Sequence, residues 1–474
     1  MSKSILVWID ESFTRLFNPG NHNNNMAAKY IGVLGLVLFA IGLSLGKSLQ
    51  LIGIAAMLTG IIMDSSRFFK IVRLSKLMWM VICFLVFIWL RTFYGILAET
   101  DIEAHRLIDG ARKYSYLAIV PIFAYWIKGD EKIVTFFFLI TIISSVAYLM
   151  LFSGLDFLNF TQGRGVDLNL PTLIIAYAMF LSLMLLWIFL FALKIPATLA
   201  QNYFNRLIFA SLLGFSFFTI AIALITLEAR ASSAALLLCI IIFAPCLVFS
   251  HLKKAGIIKT GKSATVFFIC CTMFFLLFSL SSFSMVKSHL SNNEKAFVHL
   301  KQRINDDYLA IKHIINRGDI QETPITSLGE RIYMWAIAWE LIKEKPFFGH
   351  GRGVVIKIPD AAGPAGTKRV TPHFHNTIVE ALVAWGIVGS MLLFGLFIGI
   401  LIQAHRVWRK DAMSLEMYLY IIGGALIIVA SGMTHSLGVR QTTWTYTALW
   451  AGVALSFCMN NINRSQIRQT ITRA

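Results

Sequence analysis

Residues 171–192 read PTLIIAYAMFLSLMLLWIFLFA, and this stretch contains no charged side chain. An apolar run of about 20 residues is long enough for an α-helix to cross the hydrocarbon core of a bilayer. Of the whole chain, 57% of the residues are hydrophobic and only 14% are charged. Soluble proteins carry about 25% charged residues, so this composition excludes a soluble globular protein. The sequence therefore predicts an integral membrane protein.

The apolar runs favour helices over a β-barrel. Barrel strands alternate apolar and polar residues over about ten positions, whereas these runs are continuous. A helix also satisfies its own backbone hydrogen bonds in lipid. We predict an all-α polytopic membrane protein with about 12 transmembrane helices. The runs lie at 30–46, 48–63, 77–97, 114–128, 132–152, 171–192, 207–226, 232–250, 264–285, 375–403, 417–434 and 442–459.

The basic residues follow the pattern that encodes membrane orientation. The net charge is +18, but Lys and Arg are scattered through the short connections between the apolar runs, so we expect no nucleic-acid partner. The connections on one side hold 21 of them, and the short connections on the other side hold seven. Because Lys and Arg concentrate in cytoplasmic loops, we predict that both termini are cytoplasmic.

These runs divide the chain into five parts. One connection is much longer than the rest and falls on the outer side, between helices 9 and 10; a long loop with helices of its own is often functional. All six Cys lie inside apolar runs, so neither a disulfide nor a cysteine metal site is predicted. The predicted parts are a cytoplasmic amphipathic N terminus (1–29), transmembrane helices 1–9 (30–285), a large, partly helical periplasmic loop (286–374), transmembrane helices 10–12 (375–459) and a cytoplasmic tail (460–474).

The second half of the long loop is unusually polar for this chain. Residues 329–353 read GERIYMWAIAWELIKEKPFFGHGRG, and residues 371–390 read TPHFHNTIVEALVAWGIVGS. Ser327 and Glu330 predict a helix start, and Pro346 predicts its end. The three alternating glycines that follow Phe348 would let the backbone approach a ligand closely.

Arg230 and Arg331 are candidate anion-binding residues. Arg230 opens an apolar run on the outer side, where a guanidinium and free backbone amides together suit a phosphate. The structural alternative is an arginine that extends to the membrane surface or pairs with Glu228. Arg331 begins the loop helix, and its structural alternative is a solvated cation paired with Glu330.

His375 is the candidate general base. It stands at the predicted start of helix 10, where the helix N terminus and nearby Arg would keep the imidazole neutral. Asn376 and Glu380 follow it, and His373 precedes it. A purely structural histidine and a His-x-His metal site are the alternatives, although no carboxylate and histidine set completes the metal ligands.

Arg352 and Arg91 are weaker candidates. Arg352 lies in the glycine-rich turn, where a solvated loop arginine is the simpler interpretation. Arg91 lies within the third apolar run, and an arginine inside the membrane is a functional candidate unless it extends outward. His435 and Arg440, between the last two runs, are interpreted as structural.

Taken together, these motifs resemble the O-antigen ligase and polymerase superfamily of bacterial lipid-linked glycan transferases, and O-antigen ligases most of all. The resemblance rests on an arginine at a helix start, a GERxxxW…PxxGxGxG segment and an HNxxxExxxxxGxxG segment. In this chain these positions are Arg230, then Arg331, Trp335, Pro346, Gly349, Gly351 and Gly353, then His375, Asn376, Glu380, Gly386 and Gly389.

The resemblance implies a metal-independent, inverting glycosyltransferase without a cofactor, at the periplasmic face of a Gram-negative inner membrane. Such an enzyme transfers polysaccharide from undecaprenyl pyrophosphate to lipid A–core. By analogy, Arg230 and Arg331 would hold the pyrophosphate, and His375 would activate the acceptor hydroxyl. O-antigen polymerase and protein O-oligosaccharyltransferase are alternatives within the superfamily, and a lipid-linked glycan transporter is an alternative outside it.

Overall fold

The computed structural model describes residues 26–98, 103–152, 174–192, 203–227, 230–254, 327–353, 356–357, 370–371, 373–439 and 441–471, with five single positions between 302 and 312. This part of the chain is almost entirely helical, as predicted. Its helices are α1 (Met26–Leu45), α2 (Lys47–Met63), α3 (Ser65–Leu74), α4 (Lys76–Ala98), α5 (Ala104–Tyr114), α6 (Ile119–Ile127), α7 (Glu131–Leu151), α8 (Ile174–Phe191), α9 (Tyr203–Thr226), α10 (Arg230–Lys254), α11 (Ser327–Glu344), α12 (Thr377–Arg409), α13 (Leu415–Thr434) and α14 (Gln441–Ile471).

Shorter elements complete the described chain. Ser115–Ala118 and Leu437–Val439 are 3₁₀ turns, and β1 (Ile356–Lys357) pairs with β2 (Val370–Thr371) in antiparallel register. This strand pair lies between α11 and α12, within the long predicted loop.

The helices confirm a multi-pass membrane protein. Among the described residues, eight helices are long and apolar enough to cross a membrane, and α2 with α3 makes a ninth if this pair, bent by 93°, is one span. The total of twelve stays a prediction. The predicted run 264–285 and nearly all of the N terminus and of residues 286–326 lie outside the described residues.

One predicted run has a different form in the structure. Residues 114–128 form the end of α5, a 3₁₀ turn and α6, which has only nine residues. The change from 3₁₀ to α geometry breaks the run, and Lys128 ends it in the left-handed region with φ 56°. None of these pieces is long enough to cross a membrane alone.

The core of the bundle is built around α8 and α14. α8, and α14 as far as Met459, are buried on nearly every side, and α14 packs against α6, α8, α12 and α13. Trp444, Tyr446 and Trp450 of α14 are almost completely buried. The start of α14 is rich in Thr, Trp and Tyr, and burial of these residues inside the protein explains how a less apolar helix occupies the centre of the bundle.

The helices meet at one end to form what we call the site end. The start of α12 and the end of α13 meet here: the Thr377 hydroxyl lies 3.2 Å from the His435 carbonyl oxygen. The start of α10 joins them through Ser232, whose hydroxyl lies 2.9 Å from that of Ser431. Gly110 of α5 lies against Arg352, so the outer connections predicted from the charges come together at this end.

Candidate functional site

The start of α12 fixes the position of His375. Asn376 caps the helix, and its side-chain oxygen accepts hydrogen bonds from the backbone amides of Ile378 and Val379. His375 directly precedes this cap with φ 52°, a left-handed conformation that is uncommon outside glycine. Such backbone strain concentrates at functional sites, and here the cap and its neighbours hold it in place.

Glu380, one turn into α12, organises the surrounding turns. It is 3% exposed, and its Oε1 lies 2.9 Å from the Arg352 guanidinium. Its Oε2 accepts hydrogen bonds from the Phe374 amide at 3.1 Å and the Ser436 hydroxyl at 2.8 Å. Arg352 is therefore a buried partner of Glu380 rather than a solvated loop arginine, and its charge is already balanced.

Three histidines gather at this end of the bundle. The ring centroids of His373 and His375 are 4.0 Å apart, and those of His375 and His435 are 5.7 Å apart. The Nδ1 atoms of His373 and His375 are buried and find no hydrogen-bond partner among the described residues. His435 was interpreted as structural from the sequence, so its contact with His375 is a new feature of the site.

The surroundings keep these imidazoles neutral. Burial lowers the pKa of His375 to about 4, and the neighbouring His373, His435 and Arg331 oppose its protonation further. Burial and Arg331 lower the pKa of His435 to about 4 as well. The direction agrees with the sequence-based expectation for His375, but burial outweighs the helix N terminus and Arg as its cause.

Packing of α11 brings Arg331 to the histidines. The Trp335 indole, one turn beyond Arg331, donates a hydrogen bond of 3.0 Å to the Phe374 carbonyl. Met334 and Ala338 pack with Phe374 and Val383 in a small apolar cluster. This cluster holds α11 against α12, and the positive charge of Arg331 acts on both His375 and His435.

Arg230 approaches the same place along the backbone. It is the first residue of α10, and Ser232 bonds to Ser431, which lies one turn before His435. The structure therefore brings the start of α10 to the site end. The side chain of Arg230 lies outside what the structure describes.

Comparison with known families supports this region as a functional unit. Residues 215–394 match the family model described as O-Antigen ligase. This part of the chain is therefore similar to the O-antigen ligase family. No curated protein matches the chain. Every predicted site residue except Arg91 falls within the matched range, and His435 lies beyond it.

The glycines of the matched region let two parts of the backbone approach each other closely. Helix α12 is broken at Gly386, which has φ 62° and ψ −167°. The turn at 346–351 pairs with this break: the amides of His350 and Gly351 donate to Val383 and Ala384, and the amides of Ile387 and Val388 donate to Pro346 and Phe347. Gly349 thus lies against the backbone of Ala384, and Gly386 lies against that of Phe347.

Arg91 fastens this turn to α4. Its guanidinium lies 2.7 Å from the Gly349 carbonyl oxygen and 3.1 Å from that of Phe348, and the side chain is 6% exposed. Arg91 therefore holds the turn at 346–351 against α4. The sequence suggested a functional or outward-pointing arginine, but its partners lie far along the chain and local spacing could not reveal them.

A metal site gains no further support from the geometry. The sequence left a His-x-His site at His373 and His375 open. His373, His375 and His435 lie near one another, but among the described residues no three His, Cys, Asp or Glu side chains are arranged so that they could hold one metal ion.

An apolar groove runs beside the histidines in the membrane region. Its volume is about 300 Å³, and side chains of α12, α13 and α14 line it. Thr377 and Leu437 stand at one end of this groove, next to His435, and Phe397, Val429 and Trp450 lie along it. An elongated apolar chain could lie in the groove with its polar end at the histidines.

Proposed function

We propose that this protein is an O-antigen ligase, which transfers polysaccharide from undecaprenyl pyrophosphate to lipid A–core at the periplasmic face of the inner membrane. The observation that carries the proposal is the convergence of Arg331 and His375 at one end of the bundle, within the region that matches the O-antigen ligase family model. The start of α10, with Arg230, reaches the same end.

The donor would bind through its pyrophosphate. Arg331 and Arg230 would hold the phosphates and stabilise the negative charge that grows as the sugar–phosphate bond breaks. Each hydrogen bond to a charged group contributes about 1.5–3 kcal/mol. The polyprenyl chain would lie in the groove between α12, α13 and α14, which is apolar and ends next to the histidines.

The acceptor would be activated by His375. The neutral imidazole takes the proton from the acceptor hydroxyl while the oxygen attacks the anomeric carbon. The carbon–oxygen bond to phosphate then breaks, and its electron pair stays with the undecaprenyl pyrophosphate. A positioned general base typically accelerates such a step about 10²–10⁴-fold.

Binding of the donor would also raise the basicity of His375. Burial and nearby positive charge depress the pKa of His375. A pyrophosphate on Arg331 brings negative charge next to the imidazole, which favours its protonated form. The base would thus become stronger only when the donor is in place.

A deletion strain tests the assignment against its relatives. We expect lipopolysaccharide gels to show core without O-antigen, while polymer accumulates on the lipid carrier. Core capped with a single repeat unit would instead identify a polymerase. Unchanged lipopolysaccharide with loss of glycan from glycoproteins would identify a protein O-oligosaccharyltransferase.

Reconstitution separates a transferase from a transporter. Purified protein in detergent, mixed with undecaprenyl-pyrophosphate-linked glycan and lipid A–core, should yield the joined product. Detergent leaves no membrane to cross, so a transporter would give no product under these conditions.

A further inference from the structure

We propose that His435 is a second functional histidine of the site, which receives from His375 the proton released by the acceptor hydroxyl. This inference rests on the proposed transferase function and on His375 as the general base. The sequence predicts only a structural role for His435, which lies 60 residues away from His375 in the chain.

The structure places the imidazoles of His375 and His435 next to each other. Their ring centroids are 5.7 Å apart and their planes are tilted by 58°. The Nδ1 atom of His375 is buried and has no hydrogen-bond partner among the residues that the structure describes. A histidine that serves only to stabilise a fold normally uses its ring nitrogens in hydrogen bonds, because an unmet buried polar atom costs about 1–3 kcal/mol.

Hydrogen bonds fix the backbone around both histidines. The Thr377 hydroxyl donates to the carbonyl oxygen of His435 and accepts from the Leu437 amide at 2.9 Å. Glu380 accepts from Phe374 on one turn and from Ser436 on the other. Each histidine therefore has neighbours bonded to the other histidine's turn, which sets the spacing of the two rings.

Charged and titratable groups surround the pair of His375 and His435. Arg331, His373 and His435 face His375, and Arg331 and His373 face His435. The carboxylate of Glu380 is paired with Arg352. After His375 takes the acceptor proton, the neutral imidazole of His435 is the neighbouring base that can receive it. The proton then passes from His435 to water, which returns both rings to their neutral forms.

The test uses the full-length protein with His435→Gln and His435→Ala. Donor is undecaprenyl-pyrophosphate-linked glycan, acceptor is lipid A–core, and kcat and KM are measured across pH. We expect kcat to fall by about tenfold or more, with KM little changed, because a proton-transfer partner is lost. We also expect the acid limb of kcat/KM to move to higher pH, since a neighbour that opposes protonation of His375 is gone.

Controls separate this inference from a structural effect and from the proposed function. His105→Gln changes a histidine whose side chain is 75% exposed and should leave both parameters unchanged. A normal kcat in both His435 variants, or a lower kcat with an unmoved acid limb, would overturn the role of His435. If His435→Ala is unstable by thermal denaturation, His435→Gln decides. Full activity in His375→Ala would instead refute the proposed site itself.

Discussion

The carboxylate of Glu380 and the guanidinium of Arg352 form an ion pair of 2.9 Å, and both side chains are at most 10% exposed. The pair does more than join two residues. Through its second oxygen, Glu380 also holds the turn before His375 and the turn after α13. The glycine-rich turn, the histidine turn and the α13–α14 connection therefore depend on one buried carboxylate.

We predict that Arg352→Met destabilises the protein by about 3–5 kcal/mol, because the change leaves a buried carboxylate without its counter-charge. Activity should fall too, since the turn that carries His375 loses its anchor. The double variant Arg352→Met/Glu380→Gln should recover part of the stability, because the uncompensated charge is gone. Thermal denaturation in detergent, followed by size-exclusion chromatography, measures the effect.

The surface pair of Lys343 and Glu340 supplies the control. Its atoms are 2.7 Å apart, but the side chains are 53% and 71% exposed. Exposed pairs contribute at most about 1 kcal/mol, so Lys343→Met should behave like the wild type. Equal loss of stability in Lys343→Met and Arg352→Met would contradict the role of the buried pair.

A second prediction concerns the two residues that carry the proposed chemistry. His375→Ala should lower kcat by about 10²–10⁴-fold. Arg331→Ala should lower it by about 10²–10³-fold, the loss typical of one group that stabilises developing charge. Both variants should stay folded, and transfer in detergent is the measurement. Arg112→Ala, a 66% exposed arginine paired with Asp109, is the matched control.

A third prediction follows from the break in α12. A Cβ at Gly386 would lie 2.4 Å from the backbone of Phe347, and its φ and ψ belong to a region used almost only by glycine. Gly386→Ala should therefore cost more than about 3 kcal/mol and abolish the monodisperse peak in a detergent extract. Gly214→Ala is the control: a Cβ there meets nothing within 4 Å, and the change should be neutral or stabilising by about 1 kcal/mol.

Much of the helical architecture could be predicted from hydropathy, because a spanning segment must be apolar over a fixed length. The predicted run 132–152 corresponds to Glu131–Leu151, and 417–434 corresponds to Leu415–Thr434. The break within 375–403 could not be predicted in the same way. Its glycine is compatible with an intact helix, and the turn that pairs with it lies more than 30 residues earlier.

The site was partly predictable for a similar reason. His375 and Arg331 belong to one polar stretch, so the sequence alone placed them together. His435 and Arg91 enter through contacts between distant parts of the chain, and the partners of Arg91 lie 257 and 258 residues away. One clue for His435 was present: it follows a predicted span on the same outer side as His375.

A fourth prediction tests the groove as the binding site of the donor lipid. Val429→Trp would fill space between α12 and α13, so KM for a long-chain polyprenyl donor should rise several-fold while a short-chain analogue is affected less. Leu426→Trp, on the same helix but outside the groove lining, is the control. An equal rise in KM for both donors, or for both variants, would argue that the lipid chain lies elsewhere.

The last prediction concerns pH and separates free from donor-bound enzyme. The pKa of His375 is lowered to about 4, so the imidazole is neutral above that pH and becomes protonated as the pH falls through it. Because kcat/KM reports the free enzyme, its acid limb should lie near pH 4, well below the ordinary pKa of about 6.5 for histidine.

The acid limb of kcat should lie at higher pH. This parameter reports the enzyme with donor bound, and the pyrophosphate on Arg331 favours the imidazolium, which raises the pKa of His375. The free energy of unfolding should follow the pKa of His375 without donor. The imidazole binds its proton below about pH 6.5 in the unfolded chain but only near pH 4 in the folded protein. Stability therefore falls as the pH drops across this interval. Coincident acid limbs for kcat and kcat/KM would mean that donor charge does not reach His375, and the base would then have to be sought elsewhere at the site end.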